Sequence, residues 1–558
     1  MAQTTINAGG TALGGVGTWN ANVNITANGI SPGEIPINLD AVPTNAIGTI
    51  NFTGDVVHSP GSFIRFDVAP QGGARDLISQ TGAGNTYNVN GAGIRISTTD
   101  NNRVIADGIY VVINSAEAIV NFPLLGAITS QLNPNVNAAD TGFRGSEIIN
   151  GGSPTNNANT VLARNFTTAS LSGDGTDLRI TINHNFSALA TNANAAAVGN
   201  ALDASTNSLN ALTQDFIGAL DNSNLATVQA TLNGLTPDAT FGTSVALASG
   251  NNRLNRLVSD HLALTRAGGD TVRSYVGSYS APAPEPQVQN AGIGNVWGTV
   301  SYAWKEIDGN FANDFDGEES SFTAGVDYRV SQDFLIGVLF DGSTADYDFT
   351  GGGSDVDSFR AAIYGTYGQP TGVYADFLVG YGNHSIDLDR TGGLLGGINS
   401  STDADSLQAM LTVGYAMQSG SMKHGPFGGI EYQKIDVDGY TQGGALPIRV
   451  NGYDVDSLRL LAGYRVEAAY GKFTPFASLA YAHELEDDQL STTAVIVPGG
   501  AGFGVTGSGL DSAFLISIGT NYAINSDLTL TGGYHGELAA GGDGADSHGA
   551  SLGLNYAF

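Results

Sequence analysis

Thiol chemistry is ruled out first, because the 558 residues contain no cysteine; no thiolate metal site and no disulfide framework can form either. What remains is thin. His58 and His184 stand alone in the sequence and read as solvated or packed side chains rather than as a base or a ligand. No Gly-x-Ser-x-Gly elbow, Gly-Asp-Ser opening, His-Glu-x-x-His helix or phosphate loop is read from the chain. The run Ser-Gly-Asp-Gly-Thr-Asp at 172–177 is acidic and glycine-rich, yet it occurs once and reads as a hairpin turn rather than a calcium loop. The stretch from Asp308 to Glu319 lacks ligand spacing and reads as a solvated loop. These residues predict no enzyme, no catalytic residue, no metal and no cofactor.

Charge does recur with a period in the second half. In 319–330, Phe322, Ala324, Val326, Tyr328 and Val330 alternate with Thr323, Gly325, Asp327 and Arg329. In 453–469, Leu458, Leu460, Ala462, Tyr464 and Val466 alternate with Arg459, Gly463, Arg465 and Glu467. A period of two sends alternate side chains to opposite faces of a strand. One face is then apolar and the other charged, and Arg360, Asp376, Glu431, His535 and Glu537 belong to the charged set. A soluble sandwich would turn its apolar face inward; a membrane barrel turns it to lipid and keeps a polar lumen.

The elements that must carry these side chains are twelve alternating segments between 295–305 and 545–558, joined by connections that are alternately minimal and long. The short ones are 331–333, 369–371, 419–424, 471 and 525–526, and the long ones include 306–318, 389–403, 436–452 and 487–509. That is the pattern of an antiparallel transmembrane barrel with tight turns at one end and loops at the other. Trp297, Tyr302, Trp304, Tyr328, Tyr367 and Tyr534 are placed for aromatic girdles. No run of about 18 apolar residues occurs, so spanning by helix is not available.

A formal net charge of −31 with no basic stripe disfavours nucleic acid as a partner. The charge is uneven: residues 1–290 hold 11 Arg, no Lys and 19 acids, whereas 291–558 hold 10 basic and 33 acidic residues. The opening Met1-Ala2-Gln3 has neither a basic n-region nor an apolar h-region, so the chain is expected to be a mature form with an added Met.

The final octapeptide, Ser551-Leu552-Gly553-Leu554-Asn555-Tyr556-Ala557-Phe558, resembles the terminal signature by which outer-membrane barrels are recognised for assembly. With "NVWGTVSYAW", "SSFTAGVDYRV" and "PFGGIEYQKI", residues 291–558 resemble an autotransporter (type V secretion) translocator domain. The resemblance implies an outer-membrane barrel, a helix in its pore and a passenger at the cell surface. It assigns Ser551, Gly553, Tyr556 and Phe558 to the barrel-assembly signal. The implied partners are outer-membrane lipid and lipopolysaccharide, the barrel-assembly machinery with periplasmic chaperones, and a host or matrix ligand. Some members cut themselves between paired asparagines on the pore helix. Here Ser249-Gly250 precedes Asn251-Asn252 without matching that pattern, and the pair reads as a plain helix start.

Upstream, the period changes to about 3.6. Leu209, Leu212, Phe216, Ala219 and Leu220 form one stripe, and Leu225, Val228, Leu232 and Leu235 a second, ended by Gly234. Thr236-Pro237-Asp238 reads as the start of a third helix carrying Phe241 to Leu262, whose Arg253, Arg256 and Arg266 can meet lumen carboxylates. The division expected is a β-rich passenger over 1–195, a helical junction and pore helix over 196–280, a Pro-rich linker over 281–292 and the barrel over 293–558. The passenger's short strands suit a parallel β-helix of about eight turns at ~22 residues each, with a β-sandwich left open. The expected function is export and display of a non-enzymatic, adhesin-like or scaffold passenger; the alternatives are a porin or transporter channel and a hydrolase passenger.

Overall fold

The computed structural model describes residues 3–6, 13–26, 29–33, 47–60, 62–69, 74–90, 92–98, 104–121, 126–128, 148–150, 167–173, 175–221, 223–266, 293–308, 315–486, 489–541 and 544–558. The linker expected at 281–292 lies outside them.

The N-terminal strands come in triplets. Asn22–Ile25, Gly29–Pro32 and Thr49–Phe52 are followed by Val56–His58, Phe63–Val68 and Leu77–Gln80. Each strand pairs in parallel with the one three later: Val23 lies opposite Val56, Ile30 opposite Ile64 and Ile50 opposite Ile78. The chain therefore coils through three sheets. Coils begin at Gln3, Asn22, Val56, Tyr87 and Ile119, giving advances of 19, 34, 31 and 32 residues. The expected repeat of about 22 was too short, since three of the four advances exceed 30 residues. Among the described residues five coils start, where about eight were expected. The final hairpin, Thr167–Gly173 with Asp177–His184, pairs antiparallel onto Gly108–Ser115, and Gly126–Ile128 adds antiparallel beyond it at the edge of the third sheet.

Stacked inward rows explain why these residues coil. Val23 and Val56, Ile30 and Ile64, and Ile50 and Ile78 pair within one buried cluster that also holds Phe52, Phe66 and Tyr87; each such side chain contributes roughly 1.5–3 kcal/mol on burial. The corners are held by a polar ladder. Asp55 N donates to Asn22 Oδ1 (3.0 Å), and Thr86 N to Asp55 Oδ1 (2.8 Å). At the same corner Gly82 lies so close to the preceding coil that a Cβ there would sit 2.1 Å from the Thr53 carbonyl oxygen.

The histidines are not isolated. His58 is buried between Ser62 Oγ (3.2 Å) and Tyr87 OH (3.0 Å), and burial lowers its pKa to about 3. His184 has Asp107 on Nδ1 (2.5 Å) and Asp221 near Nε2 (3.7 Å), so it ties the last coil to the following helices. Burial opposes its charge, but hydrogen bonds to Asp107 and Asp221 outweigh burial and raise its pKa to about 9.

Four helices follow: α1 (Ala193–Ser205), α2 (Ala211–Asp221), α3 (Leu225–Gly234) and α4 (Ala239–Arg266). Asn192 and Asn224 cap α1 and α3 by accepting from Ala195 N and Thr227 N. At 28 residues, α4 is about 42 Å long, and Asn251-Asn252 sits in its middle. The pair does not start a helix, since Thr236 Oγ1 already donates to Asp238 Oδ1 at the α3–α4 corner and the helix runs unbroken from Ala239.

Twelve antiparallel strands close a barrel from Gly294–Asp308 to Gly544–Ala557, as the alternation predicts. The first and last strands pair over fourteen positions, Asn295–Asp308 with Gly544–Ala557. The loop end departs from expectation. Strands Gly372–Thr391 and Gly397–Ser419 absorb most of 389–403, and the two later loops form a four-stranded sheet of Tyr440–Gln442, Ile448–Val450, Leu490–Ile496 and Gly502–Gly507. Leu446, Ile448, Val450, Ile496 and Val505 are buried, so these loops carry their own apolar side and pack rather than remain solvated.

Gly82→Ala should destabilise the coil domain by about 2 kcal/mol through backbone overlap, measured as an earlier thermal transition in near-UV circular dichroism of the full chain. His184 should add up to about 3 kcal/mol below pH 6.5, lost as pH rises through about 9, because its folded pKa lies above its unfolded one. Melting curves from pH 6 to 10 for the parent and His184→Gln should converge at the alkaline end.

Candidate functional site

Outward residues of the barrel wall are apolar over its lower two thirds: Val300, Phe322, Val338, Phe340, Ile363, Val379, Leu411, Ile430, Leu460 and Leu552 are all exposed. Towards the loop end the same face turns acidic, with Asp346 opposite Asp355 and Asp355 opposite Asp387. Like charges facing one another on a sheet are tolerated only in water, so this line marks where the wall leaves hydrocarbon. Trp304, Tyr328, Tyr367 and Tyr534 are exposed on that wall. Trp297 is not: it is buried in the lumen, stacks on His261 at 4.4 Å and donates from Nε1 to Tyr364 OH (2.6 Å). Period two was the signal that should have placed it there, one residue out of phase with Val296 and Val300.

Inside, α4 fills the barrel. Small residues make room for it: a Cβ on Gly242 would meet the Phe315 ring at 2.4 Å, and one on Gly250 would meet Arg360 at 2.9 Å. Nearly the whole helix is buried, including Asn251, Asn252, Arg253, Asn255, Arg256, His261 and Arg266. Charges buried this deeply in the lumen need partners. Arg253 reaches Glu319 (3.4 Å) and Asp341 (3.3 Å), and Arg360 reaches Asp341 (2.9 Å) while donating from Nε to Asn251 Oδ1. Lys305 joins Glu319 at 2.5 Å and donates to the Ala246 carbonyl. Lower down, Glu537 binds both Arg256 (3.1 Å) and Arg459 (2.8 Å), Asp260 binds Arg465 (2.5 Å), and Arg266 binds Asp376. Asn255 Nδ2 donates to Glu431 Oε1 (3.2 Å), and Asn252 Nδ2 to Glu537 Oε1 (3.0 Å).

Near the turn end a second network fixes the helix laterally. Asp327 receives His261 Nε2 (2.6 Å), Tyr364 OH (3.0 Å) and Asn295 Nδ2 (2.6 Å). Arg329 donates to the Thr265 carbonyl (2.9 Å), and Glu467 lies in the recess that Arg266, Lys423 and Arg465 line. His535 meets Ser517 and Ser551 hydroxyls and lies 3.7 Å from Asp260. Sequence reading missed Glu319, Asp341, Lys305, His261 and Asp260. Glu319 in particular was assigned to a solvated loop and is instead buried at the centre of the upper network.

The octapeptide at the C-terminus forms the seam strand. Phe558 N donates to Gly294 O (3.0 Å), and Leu552, Leu554, Tyr556 and Phe558 are exposed outward. Gly553 has a packing reason of its own, since a Cβ would lie 2.5 Å from Thr299 Oγ1.

Above the mouth, α1, α2 and α3 pack on the loop sheet. Ala195, Val198, Leu202 and Leu232 join Ile448, Ile496, Phe503 and Val505 in one buried cluster. Among the described residues no group of His, Asp and Glu has metal-site geometry.

Two spacings were passed over in the sequence, and one of them, Gly549-Ala550-Ser551-Leu552-Gly553, lies in the last barrel strand, where the Ser551 hydroxyl meets His535 Nε2 (3.1 Å). Gly29-Ile30-Ser31-Pro32-Gly33 also matches Gly-x-Ser-x-Gly, but Ser31 lies on a parallel strand, 1% exposed, with no hydrogen-bond partner for its hydroxyl. An elbow needs the serine exposed on a strand-to-helix turn.

A helix-plugged twelve-stranded barrel, with a lipid-facing wall and a coiled domain beyond its loop end, defines an outer-membrane translocator with its passenger at the surface. Residues 296–535 match the family model described as the autotransporter β-domain. Curated relatives are Esterase EstA of Pseudomonas aeruginosa and of Pseudomonas putida, each 28% identical over 240 residues, covering 39% of this chain and 36% of the relative. The chain thus spans about a third of the length of those relatives. Solved structures similar to it include the translocator domain of autotransporter NalP from Neisseria meningitidis (15% identity, TM-score 0.44, 57% of this chain and 98% of that one). Another is the transport unit of autotransporter AIDA-I from Escherichia coli (15%, TM-score 0.34, 52% and 99%). The esterase relatives overturn the expectation, drawn from absent motifs, that the chain is not an enzyme. Absent motifs exclude little, because a catalytic set is assembled in space and need not leave a local signature.

Asp341→Ala should leave Arg253 and Arg360 without their shared carboxylate and cost roughly 3–5 kcal/mol of plug binding, seen as a rise in open-channel current in planar bilayers relative to the parent.

Proposed function

We propose that the chain exports and then displays its own N-terminal domain, with α4 left behind as the plug. The observation that carries this reading is the course of α4. It enters at the loop end, where Thr243 meets Ser354, and leaves at the turn end, where Arg266 meets Thr366 and Asp376. One unbroken helix thereby runs from the outer domain through the lumen. The octapeptide residues Ser551, Gly553, Tyr556 and Phe558 are the assembly signal read by the barrel-assembly machinery, with the exposed Leu552 and Leu554 between them; periplasmic chaperones act earlier, and outer-membrane lipid and lipopolysaccharide surround the finished wall. The three-sheet coil offers long, regular polar faces, which suits adhesin-like contact with a host or matrix surface.

A hydrolytic passenger is the second reading, favoured by the name of the EstA relatives. Protease treatment of intact cells should remove an N-terminal epitope and leave a heat-modifiable C-terminal fragment; an epitope that stays protected on intact cells defeats the display reading. Saturable hydrolysis of a short-chain nitrophenyl ester by the purified full chain, absent from a chain lacking residues 1–184, would favour the second reading over a purely binding passenger.

A further inference from the structure

The contacts above the barrel mouth are of a different kind from those in the lumen. Asn194, on α1, pairs with both backbone atoms of Thr506: its Nδ2 donates to the carbonyl (2.7 Å) and its Oδ1 accepts from the amide (3.0 Å). Thr506 lies on Gly502–Gly507, the edge strand of the loop sheet, which pairs only with Leu490–Ile496. The side-chain amide therefore takes the place of a further strand on an open edge. Next to it Ala501 N donates to Ser205 Oγ (2.9 Å), Ser208 Oγ donates to the Gly499 carbonyl (2.9 Å) and Thr213 Oγ1 to the Pro498 carbonyl (2.8 Å).

The other side of the mouth grips α3. Arg390 donates to the Thr236 carbonyl (2.5 Å) and the Gly234 carbonyl (3.2 Å), and Gln442 Nε2 donates to Gly234 as well (2.9 Å). A helix ends with carbonyls that have no partner in the helix, and here the barrel supplies partners. Gly234 and Gly392 approach so closely that a Cβ on Gly392 would lie 2.8 Å from the Gly234 Cα. Apolar burial of α1 and α3 against Ile496, Phe503 and Leu395 completes the contact. None of it uses the lumen charges.

We propose that the loop sheet is a docking platform for α1–α3, holding the passenger on the barrel even after the backbone linking them has been cut. It rests on the display reading. The test below leaves that reading standing if it fails, because surface exposure is measured separately by protease treatment of cells.

The full chain, purified in detergent, carries a sequence-specific protease site between Pro282 and Pro286 and is cut there; gel filtration then measures how much N-terminal fragment stays with the barrel. In a background of Arg253→Met, Arg256→Met, Asp260→Asn, His261→Gln and Arg266→Met, which removes the ion pairs between α4 and the wall, most of the fragment should still co-migrate with the barrel. Adding Asn194→Ala, Ser205→Ala and Thr213→Val should raise the released share roughly tenfold, the response to a loss of about 1.4 kcal/mol. Complete release from the lumen variant alone, or no change on adding the three mouth substitutions, overturns the proposal. If the combined variant does not show heat-modifiable migration, Asn194→Ala alone in the uncut chain serves. Amide exchange at Thr506 should then quicken about tenfold, and an unchanged rate overturns the proposal equally.

Discussion

Charges buried inside the barrel need partners, and that requirement shapes the rest of the molecule. Lumen carboxylates such as Glu319, Asp341 and Glu537 are buried to within a few per cent, and a lone carboxylate in such a place would cost several kcal/mol. The wall meets part of the demand through Lys305, Arg360 and Arg459, but Arg253, Arg256 and Arg266 come from α4. Plug and wall are therefore complementary halves of one ionic lattice. Removing the helix would require water to enter and solvate the charges, so the same residues that make an open lumen wet make the plugged lumen specific.

That lattice also explains features that look unrelated. Gly242 and Gly250 are poor helix formers, yet only a residue without a side chain lets α4 approach Phe315 and Arg360. Trp297 faces inward because Asp327 needs an ordered set of donors, and Tyr364 and His261 reach it best when an indole braces both. Outside the lumen, the demand is reversed: the wall exposes Val, Leu, Phe and Tyr, and carboxylates face one another only beyond the apolar belt.

The coiled domain solves a different problem with different means. Its core is a stack of inward Val and Ile rows, its corners are Asn and Asp side chains bonded to the next coil, and its third sheet carries an antiparallel hairpin. His184 joins this domain to the helices through two carboxylates, and the helices join the barrel through the loop sheet. The esterase relatives raise hydrolysis as a reading for the exposed part, and the serine in an elbow-like spacing there, Ser31, is sealed within the coil.

Period-two alternation was enough to number the barrel strands, orient their faces and separate short turns from long loops, because a strand's side-chain direction is set locally by its backbone. Asp327, Arg360, Arg459 and Glu537 do lie on the inward face, and the 3.6-residue spacing revealed α2, α3 and α4 but not α1, while Leu209 and Leu212 of its first stripe are exposed. Partners were another matter. Nothing in the order of residues says that Arg253 meets Asp341, 88 positions away, or that Asn194 meets Thr506, 312 away. The coil length escaped because the advances are unequal, 19, 34, 31 and 32 residues, and the loop sheet escaped because its strands are only three to seven residues long. Local periodicity thus determined which way each side chain points, while closure of the barrel and the threading of α4 decided which charges meet, since that depends on distances in space that the sequence does not encode one residue at a time.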